Sequence, residues 1–378
     1  MPSIAVLTPV LPFNDQKEIV LSEQDQQRDA LDEYNHSRQR RALILQELRT
    51  RPGIDIKLCT PSDDDDDDDD ETDWVTHIYR KVHSSELLQF LQTAPARWEA
   101  LGKAGQDPIA SLRAALIPIC VPLQRTTASQ RPSQHVVGQM GYYCTDNCTP
   151  LFAGIVEEFE RDAYLVQCAL QESSRTVVVL LPTHPGHHAA TDCFGGYCYT
   201  NHAAALAAHL PHERVAILDV DYHCGNGTAA IFDNDPNVLV VSLHCDPDYD
   251  YPFHAGFADD VGTAGTTCHL PLPPGTDWAQ YKPALQQGLQ RIRDFGGTAC
   301  IVSLGLDTYD QDPCALRRAG FHLRDNDYVA MGRCIAQGLD TSVQVLFVQE
   351  GGYRMDKVPV AAADVICGFA EERERMSE

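Results

Sequence analysis

The sequence predicts a single-domain α/β protein, a parallel sheet covered by helices on both faces. Three observations carry this. Apolar runs at 176–181, 215–218, 238–243, 299–304 and 343–348 have the length and continuity of strands buried on both sides. Stretches with helical spacing, at 201–210, 278–295 and 327–339, separate most of them, as crossovers between parallel strands require. No linker composition or internal repeat divides the 378 residues.

Taken in order, residues 4–7 read as the first strand. Residues 11–35 read as a polar, irregular loop into a helix at 37–48, closed by Gly53. A short strand follows at 54–58. The aspartate run at 63–71 cannot pack against itself, so 61–73 is expected to be a solvated, disordered acidic loop. Residues 74–91 suggest a strand-like piece and then a helix through 85–91. Residues 101–135 suggest a long surface excursion. An amphipathic helix at 150–171 leads into the regular alternation of strand and helix. The expected division is a catalytic domain at 1–370 and a charged tail at 371–378.

Composition narrows the function. Hydrophobic residues make up 43% of the chain, enough for a sizeable core. No apolar run reaches the roughly 18 residues of a membrane span, and no basic segment precedes the first strand as in a signal peptide. The 14 cysteines form no Cys-x-x-Cys pair and read as reduced thiols of an intracellular protein. The expected location is the cytoplasm; the only basic cluster, Arg38, Arg40 and Arg41, leaves the nucleus open. The net charge of −25, to which the acidic run contributes only part, opposes direct nucleic-acid binding and suits a cationic substrate.

The chain is organised around residues 215–228, where an apolar run ends in Asp219, Asp221 and His223, followed by Gly225, Asn226 and Gly227. In extended backbone, alternate residues face one way, so two carboxylates and an imidazole would project together. Other strand ends carry similar groups: His187 and His188, then His244 and Asp246, Asp307, and Glu350 with Tyr353. In open parallel sheets, ligands bind beyond the carboxyl ends of the strands. Asp221, His223 and Asp307 make three ligands with a position left open, the catalytic arrangement for zinc. His187 and His188 are candidate bases for a metal-activated water. Asp219 and Asn226 can orient them. Tyr353 can donate to an oxyanion. These parts specify hydrolysis of a carbonyl compound.

The motifs that carry these residues are Pro185-Gly-His-His-Ala, Phe194-Gly-Gly-Tyr-Cys-Tyr, Leu218-Asp-Val-Asp-Tyr-His, Gly305-Leu-Asp-Thr-Tyr-Asp-Gln-Asp-Pro and Glu350-Gly-Gly-Tyr. They resemble, in the same order, the histone deacetylase and acetylpolyamine amidohydrolase family, within the arginase–deacetylase fold. The resemblance spans about 78 to 368 together with the first strand. Gly138-Gln-Met-Gly-Tyr-Tyr is most similar to the acetylpolyamine branch.

The resemblance implies a zinc-dependent deacetylase with one zinc per chain. Its substrate would be acetyl-lysine of proteins such as histones, or an acetylpolyamine, and its product acetate. It implies His188 as main base and acid, oriented by Asn226, and His187 paired to Asp219. It implies zinc on Asp221, His223 and Asp307, and Tyr353 polarising the acetyl carbonyl. Gly196, Tyr197 and Tyr251 would wall the acyl tunnel. A structural potassium ion is implied at Asp219, Asp221, His223, Ser242 and Leu243, and relatives of this branch suggest a homodimer. Four positions depart from the pattern: Cys224 replaces a histidine, Thr183-His184 replaces Arg-Pro, and Val137 replaces a glutamate. The alternatives are a non-catalytic acyl-lysine binding module and a two-metal, arginase-like ureohydrolase.

Overall fold

The structure is a computed structural model. It describes residues 4–9, 29–59, 73–107, 110–111, 115–119, 131–172, 177–211, 213–315 and 319–378, with backbone only for 29–36. The acidic run at 63–71 lies outside the described residues, as does part of the excursion expected at 101–135.

Among the described residues, eight strands form one parallel sheet: β1 (Ile4–Pro9), β2 (Ile54–Cys59), β3 (Val177–Leu180), β4 (Val215–Asp219), β5 (Val238–Cys245), β6 (Thr267–Leu272), β7 (Ala299–Leu304) and β8 (Gln344–Gln349). Their spatial order is β2-β1-β3-β8-β7-β4-β5-β6, and every pairing is parallel. The chain builds outward to β6, then returns to insert β7 and β8 between β3 and β4. That return brings strand ends far apart in sequence side by side at the centre of the sheet.

The helices are α1 (Asp29–Leu48), α2 (Trp74–Tyr79), α3 (Ser85–Lys103), α4 (Val136–Tyr143), α5 (Ile155–Gln171), α6 (His202–His209), α7 (Asn226–Ile231), α8 (Trp278–Phe295), α9 (Asn326–Gly338) and α10 (Val358–Ser377). Successive strand residues feed opposite cores, which is why the central strands are apolar throughout. Val178, Ile217, Val240 and Ile301 pack with α2, α3, α5 and α6. Val179, Leu218, Val241 and Val302 pack with α8, α9 and α10. Local signals set the helix ends. Asp277 and Gln280 form a reciprocal cap at the start of α8, and Gly296 closes it at φ 73°.

The parallel α/β sheet expected from the sequence is present. Four local readings differ. Residues 74–79 are helix α2, started by Asp73 accepting from the Thr76 N–H, rather than strand-like. Residues 29–35 are already helical, ahead of the expected start at 37. Strand β6, with Pro271 and a half-buried pattern at the sheet edge, had no apolar run to mark it. Residues 371–377 are the last turns of α10 rather than a tail, with Glu372 and Arg373 buried.

Candidate active site

β4 ends at Asp219, so the extended backbone assumed through His223 is not what aligns the ligands. Each carboxylate instead accepts the N–H two residues on: Asp219 Oδ1 from Asp221 N at 3.0 Å, and Asp221 Oδ1 from His223 N at 2.9 Å. These turns hold Asp221 and His223 in the bend before α7, where Asp307, just past β7, meets them. One donor atom from each of the three lies within 4.8 Å of the others. His223 Nδ1 is 2.8 Å from Asp307 Oδ2 and 3.3 Å from Asp221 Oδ1.

The remaining oxygens are anchored. Asp307 Oδ1 accepts from Tyr222 N at 2.8 Å, and Asp221 Oδ2 from Gly351 N at 2.9 Å. A Cβ on Gly305 would stand 2.0 Å from Asp221 Oδ2, so only glycine lets the β7 end pass this close. Burial, with the charge of Asp221 beside it, pushes the Asp307 carboxyl up to about 7. Two buried carboxylates with one imidazole ask for a countercharge. The oxygen–nitrogen–oxygen donor set fits a divalent cation with a coordination position to spare.

His187 and His188 follow β3 in a loop pinned by Glu350, at the end of neighbouring β8. Glu350 Oε2 accepts from Gly186 N at 2.6 Å and His187 N at 3.2 Å, and its Oε1 accepts from the Ser303 hydroxyl at 3.1 Å. Burial raises its carboxyl to about 7. The two imidazoles lie with centroids 4.0 Å apart, tilted by 43°, but have different partners. His187 Nδ1 is 2.9 Å from Asp219 Oδ2; His188 Nδ1 is 2.7 Å from Asn226 Oδ1. Burial opposes charge on His187, yet Asp221 and Asp219 together hold it up at about 10. Burial, with His187 and His223 beside it, holds His188 far below the usual histidine range.

Tyr353 follows β8 and is positioned by Asp312, whose Oδ2 accepts from Tyr353 N at 2.7 Å. The guanidinium of Arg40 lies 5.2 Å from the centre of its ring. Tyr353, Tyr197, Tyr251, Gly196, both histidines, Asp221 and His223 line one cavity of about 40 Å³. Tyr251 meets His188 edge-on at 4.8 Å. Gly196 sits at φ 57°, and a Cβ there would stand 2.3 Å from His188 Cδ2. The histone deacetylase domain matches residues 35–369.

The chain belongs to the histone deacetylase domain family. It is 39% identical over 300 residues to acetylpolyamine amidohydrolase 2 of Pseudomonas aeruginosa, across 77% of this chain and 81% of that protein. It is 39% identical over 298 residues to the acetylpolyamine amidohydrolase of Mycoplana ramosa, across 77% and 82%. The crystal structure of an acetylpolyamine aminohydrolase from Burkholderia pseudomallei superposes with a TM-score of 0.75 at 25% identity, covering 97% of this chain and 99% of that one. The fold is thus the arginase–deacetylase fold, and the chain is a hydrolase of the deacetylase family.

Against this family, the expected histidines, tyrosine and tunnel walls line one cavity with Asp221 and His223, and Asp307 clusters with those two ligands. Ser242 and Leu243 lie within β5, and Ser242 pairs Asp219 across the sheet. His244 does not line the cavity; its Nε2 lies 2.9 Å from the Gly256 carbonyl. The departures also have places. His184 Nε2 is 2.9 Å from Glu158 Oε2, and Thr183 N donates to Asp162 Oδ1 at 2.8 Å. Arg41 donates to the Thr183 hydroxyl, and Arg38 pairs with Glu158. Val137, half-buried on α4, packs against the core. Sequence reasoning assigned no role to Glu350, Arg40 or Arg41. Glu350 stands in the Glu-Gly-Gly-Tyr motif and could have been found there. The arginines sit on α1, more than 300 residues from Tyr353, and nothing local marks them.

Proposed function

We propose that the site removes the acetyl group from N-acetylated polyamines, by the roles set out here. The observation that carries the reading is convergence: Asp221, His223, two differently partnered histidines and Tyr353 share one narrow aromatic cavity, and Asp307 closes on the first two. Its volume, about 40 Å³, admits an acetamide head and little more. The rings of Tyr197 and Tyr251 suit a bare methylene chain. The acetylpolyamine amidohydrolases among the relatives, with the negative charge of this chain, favour a cationic amine over a protein segment.

Asp221, His223 and Asp307 would hold zinc, which when bound polarises a carbonyl and lowers the pKa of water. The Asn226 amide oxygen only accepts, so His188 carries its hydrogen on Nδ1 and turns a bare Nε2 to the cavity. His188 therefore takes the proton of the attacking water and returns it to the leaving amine. His187, held by Asp219, keeps positive charge beside the developing oxyanion. The Tyr353 hydroxyl donates to that oxyanion. Gly196 and the two aromatic walls exclude bulk water.

Three further parts belong to this reading. Asp219, Asp221 and His223, with Ser242 and Leu243 of neighbouring β5, would take a structural potassium ion. The active form would be a homodimer. Its place would be the cytoplasm; among the described residues no helix is long and apolar enough to cross a membrane. The test is a side-by-side assay of acetylated spermidine-type amines and acetyl-lysine peptides, with and without a hydroxamate chelator. The expected result is chelator-sensitive turnover with kcat/KM at least about tenfold higher for the amines, a difference of about 1.4 kcal/mol. Equal or better turnover of the peptides overturns the substrate class, and chelator-insensitive turnover overturns the metal.

A further inference from the structure

We propose that Cys224, His244 and His269 form a second metal site, separate from the Asp221–His223–Asp307 set and suited to zinc. The three come from the bend after β4, from β5 and from edge strand β6. One donor atom of each lies within 4.8 Å of the others, and all three residues are buried. Cys224 and His244 are 0% exposed and His269 5%. His223 serves the catalytic cluster, while its neighbour Cys224 faces the other way, toward the outer end of the sheet.

Of the three, His269 is the least well satisfied by its surroundings among the described residues. Cys224 Sγ lies 3.7 Å from His269 Nδ1, the one hydrogen-bond contact of that ring among the described residues. A thiol–imidazole contact that long is weak for two buried polar groups. His244 Nε2 lies 2.9 Å from the Gly256 carbonyl, and its Nδ1 2.8 Å from Ser242 Oγ. Gly256 adopts φ 101°, and a Cβ there would stand 2.7 Å from His244 Nε2 and 2.8 Å from Cys224 Sγ. Glycine thus keeps open the space between sulfur and imidazole. A cavity of about 460 Å³, lined by His269, Cys268, Val261 and Arg291, supplies a path from the surface.

The donors choose the ion. One thiolate and two imidazoles suit zinc in tetrahedral coordination, and magnesium or calcium would not take sulfur. On binding, the Cys224 S–H bond breaks, its proton passes to solvent, and the sulfur electron pair forms the bond to the metal. His244 ligates through Nε2 once its hydrogen resides on Nδ1, where Ser242 Oγ accepts it. A water completes the fourth position. Bound metal would tie β6 to β5 and to the bend that carries His223.

Cobalt substitution separates the two sites, because the catalytic set contains no sulfur. Metal-stripped full-length protein is titrated with cobalt(II), and absorption is followed in the near ultraviolet, where thiolate-to-cobalt charge transfer occurs. The expected result is two cobalt ions per chain with a charge-transfer band. That band persists in Cys268→Ser and vanishes in Cys224→Ser together with one cobalt ion. His269→Gln gives the same loss and serves if Cys224→Ser fails to fold. One metal per chain in the wild type, no sulfur band, or a band that survives both variants overturns the proposal. None of these readouts depends on turnover or on the substrate proposed above.

Discussion

His187 and His188 differ most in what their Nδ1 atoms touch, and that difference divides their labour. A carboxylate holds a proton on His187; an amide oxygen leaves His188 neutral with one nitrogen free. Replacing Asn226 with Ala removes the group that fixes the His188 tautomer. We expect turnover to fall about 10–100-fold with zinc content unchanged, read by kcat and metal analysis on the same sample. Unaltered kcat would show that Asn226 does not orient the base. Tyr353→Phe deletes only the hydroxyl and leaves the ring against Arg40. It is expected to lower kcat by about 10²–10³ while KM and zinc content stay near wild type. A change confined to KM would instead assign the tyrosine to substrate binding. Residue types and spacing named these groups in advance. The anchors behind them, Asp312 under Tyr353 and Glu350 under the histidine loop, are defined by which backbone N–H they reach, and motif position alone does not show that.

Elements decide how close those groups can come. α10 crosses α9 where Gly332 meets the backbone of Val365, and a Cβ on Gly332 would stand 2.1 Å from the Val365 carbonyl oxygen. Both helices cover one face of the sheet beneath β7 and β8, the strands that deliver Asp307 and Tyr353. Gly332→Ala should therefore cost about 1–3 kcal/mol, seen as a lower urea midpoint, and carry activity down with it. An unchanged midpoint would mean that the two helices can part without cost. At this scale the sequence was partly legible. Buried central strands announced themselves as unbroken apolar runs. β6 and α2 did not, because an edge strand needs only one apolar face and a six-residue helix has too few turns to show a period. The end of α10 looked like a tail because its side chains are charged, yet Arg373 donates to the Asp340 carbonyl at 2.6 Å and lies against Phe369.

Across the whole molecule, buried neutral histidines set the acid limit of stability. His83 Nδ1–H donates to the Ala190 carbonyl at 2.7 Å, while its Nε2 accepts from Asn201 N at 2.9 Å. His202 is caught between Tyr79 and the His184 carbonyl. Burial lowers both from 6.5 to about 4. Between those values the unfolded chain binds protons that the folded chain refuses. Stability is therefore complete above pH 6.5 and is lost as pH falls toward 4, by about 3 kcal/mol for each imidazole. Asp162 runs the other way: burial raises it to about 6, so its contribution is present at low pH and lost as pH rises through that value. Comparing wild type with His83→Gln isolates one term. The variant should lose less stability than wild type between about pH 7.5 and 4.5, measured by urea unfolding. An identical loss in both would remove His83 from this role.

Sequence alone determined the alternation of strand and helix and the chemistry at each strand end. It could do so because burial on two faces demands continuous apolar runs, and because metal and proton chemistry demand particular side chains. Tertiary structure alone decided that β7 and β8 insert between β3 and β4, and so which strand ends are neighbours. It also decided which nitrogen of each histidine is engaged, that His244 turns away from the catalytic cavity toward Cys224 and His269, and that α1 places Arg40 against the Tyr353 ring. These depend on contacts between residues far apart in the chain, whose meeting is set by sheet order and helix packing rather than by any local pattern.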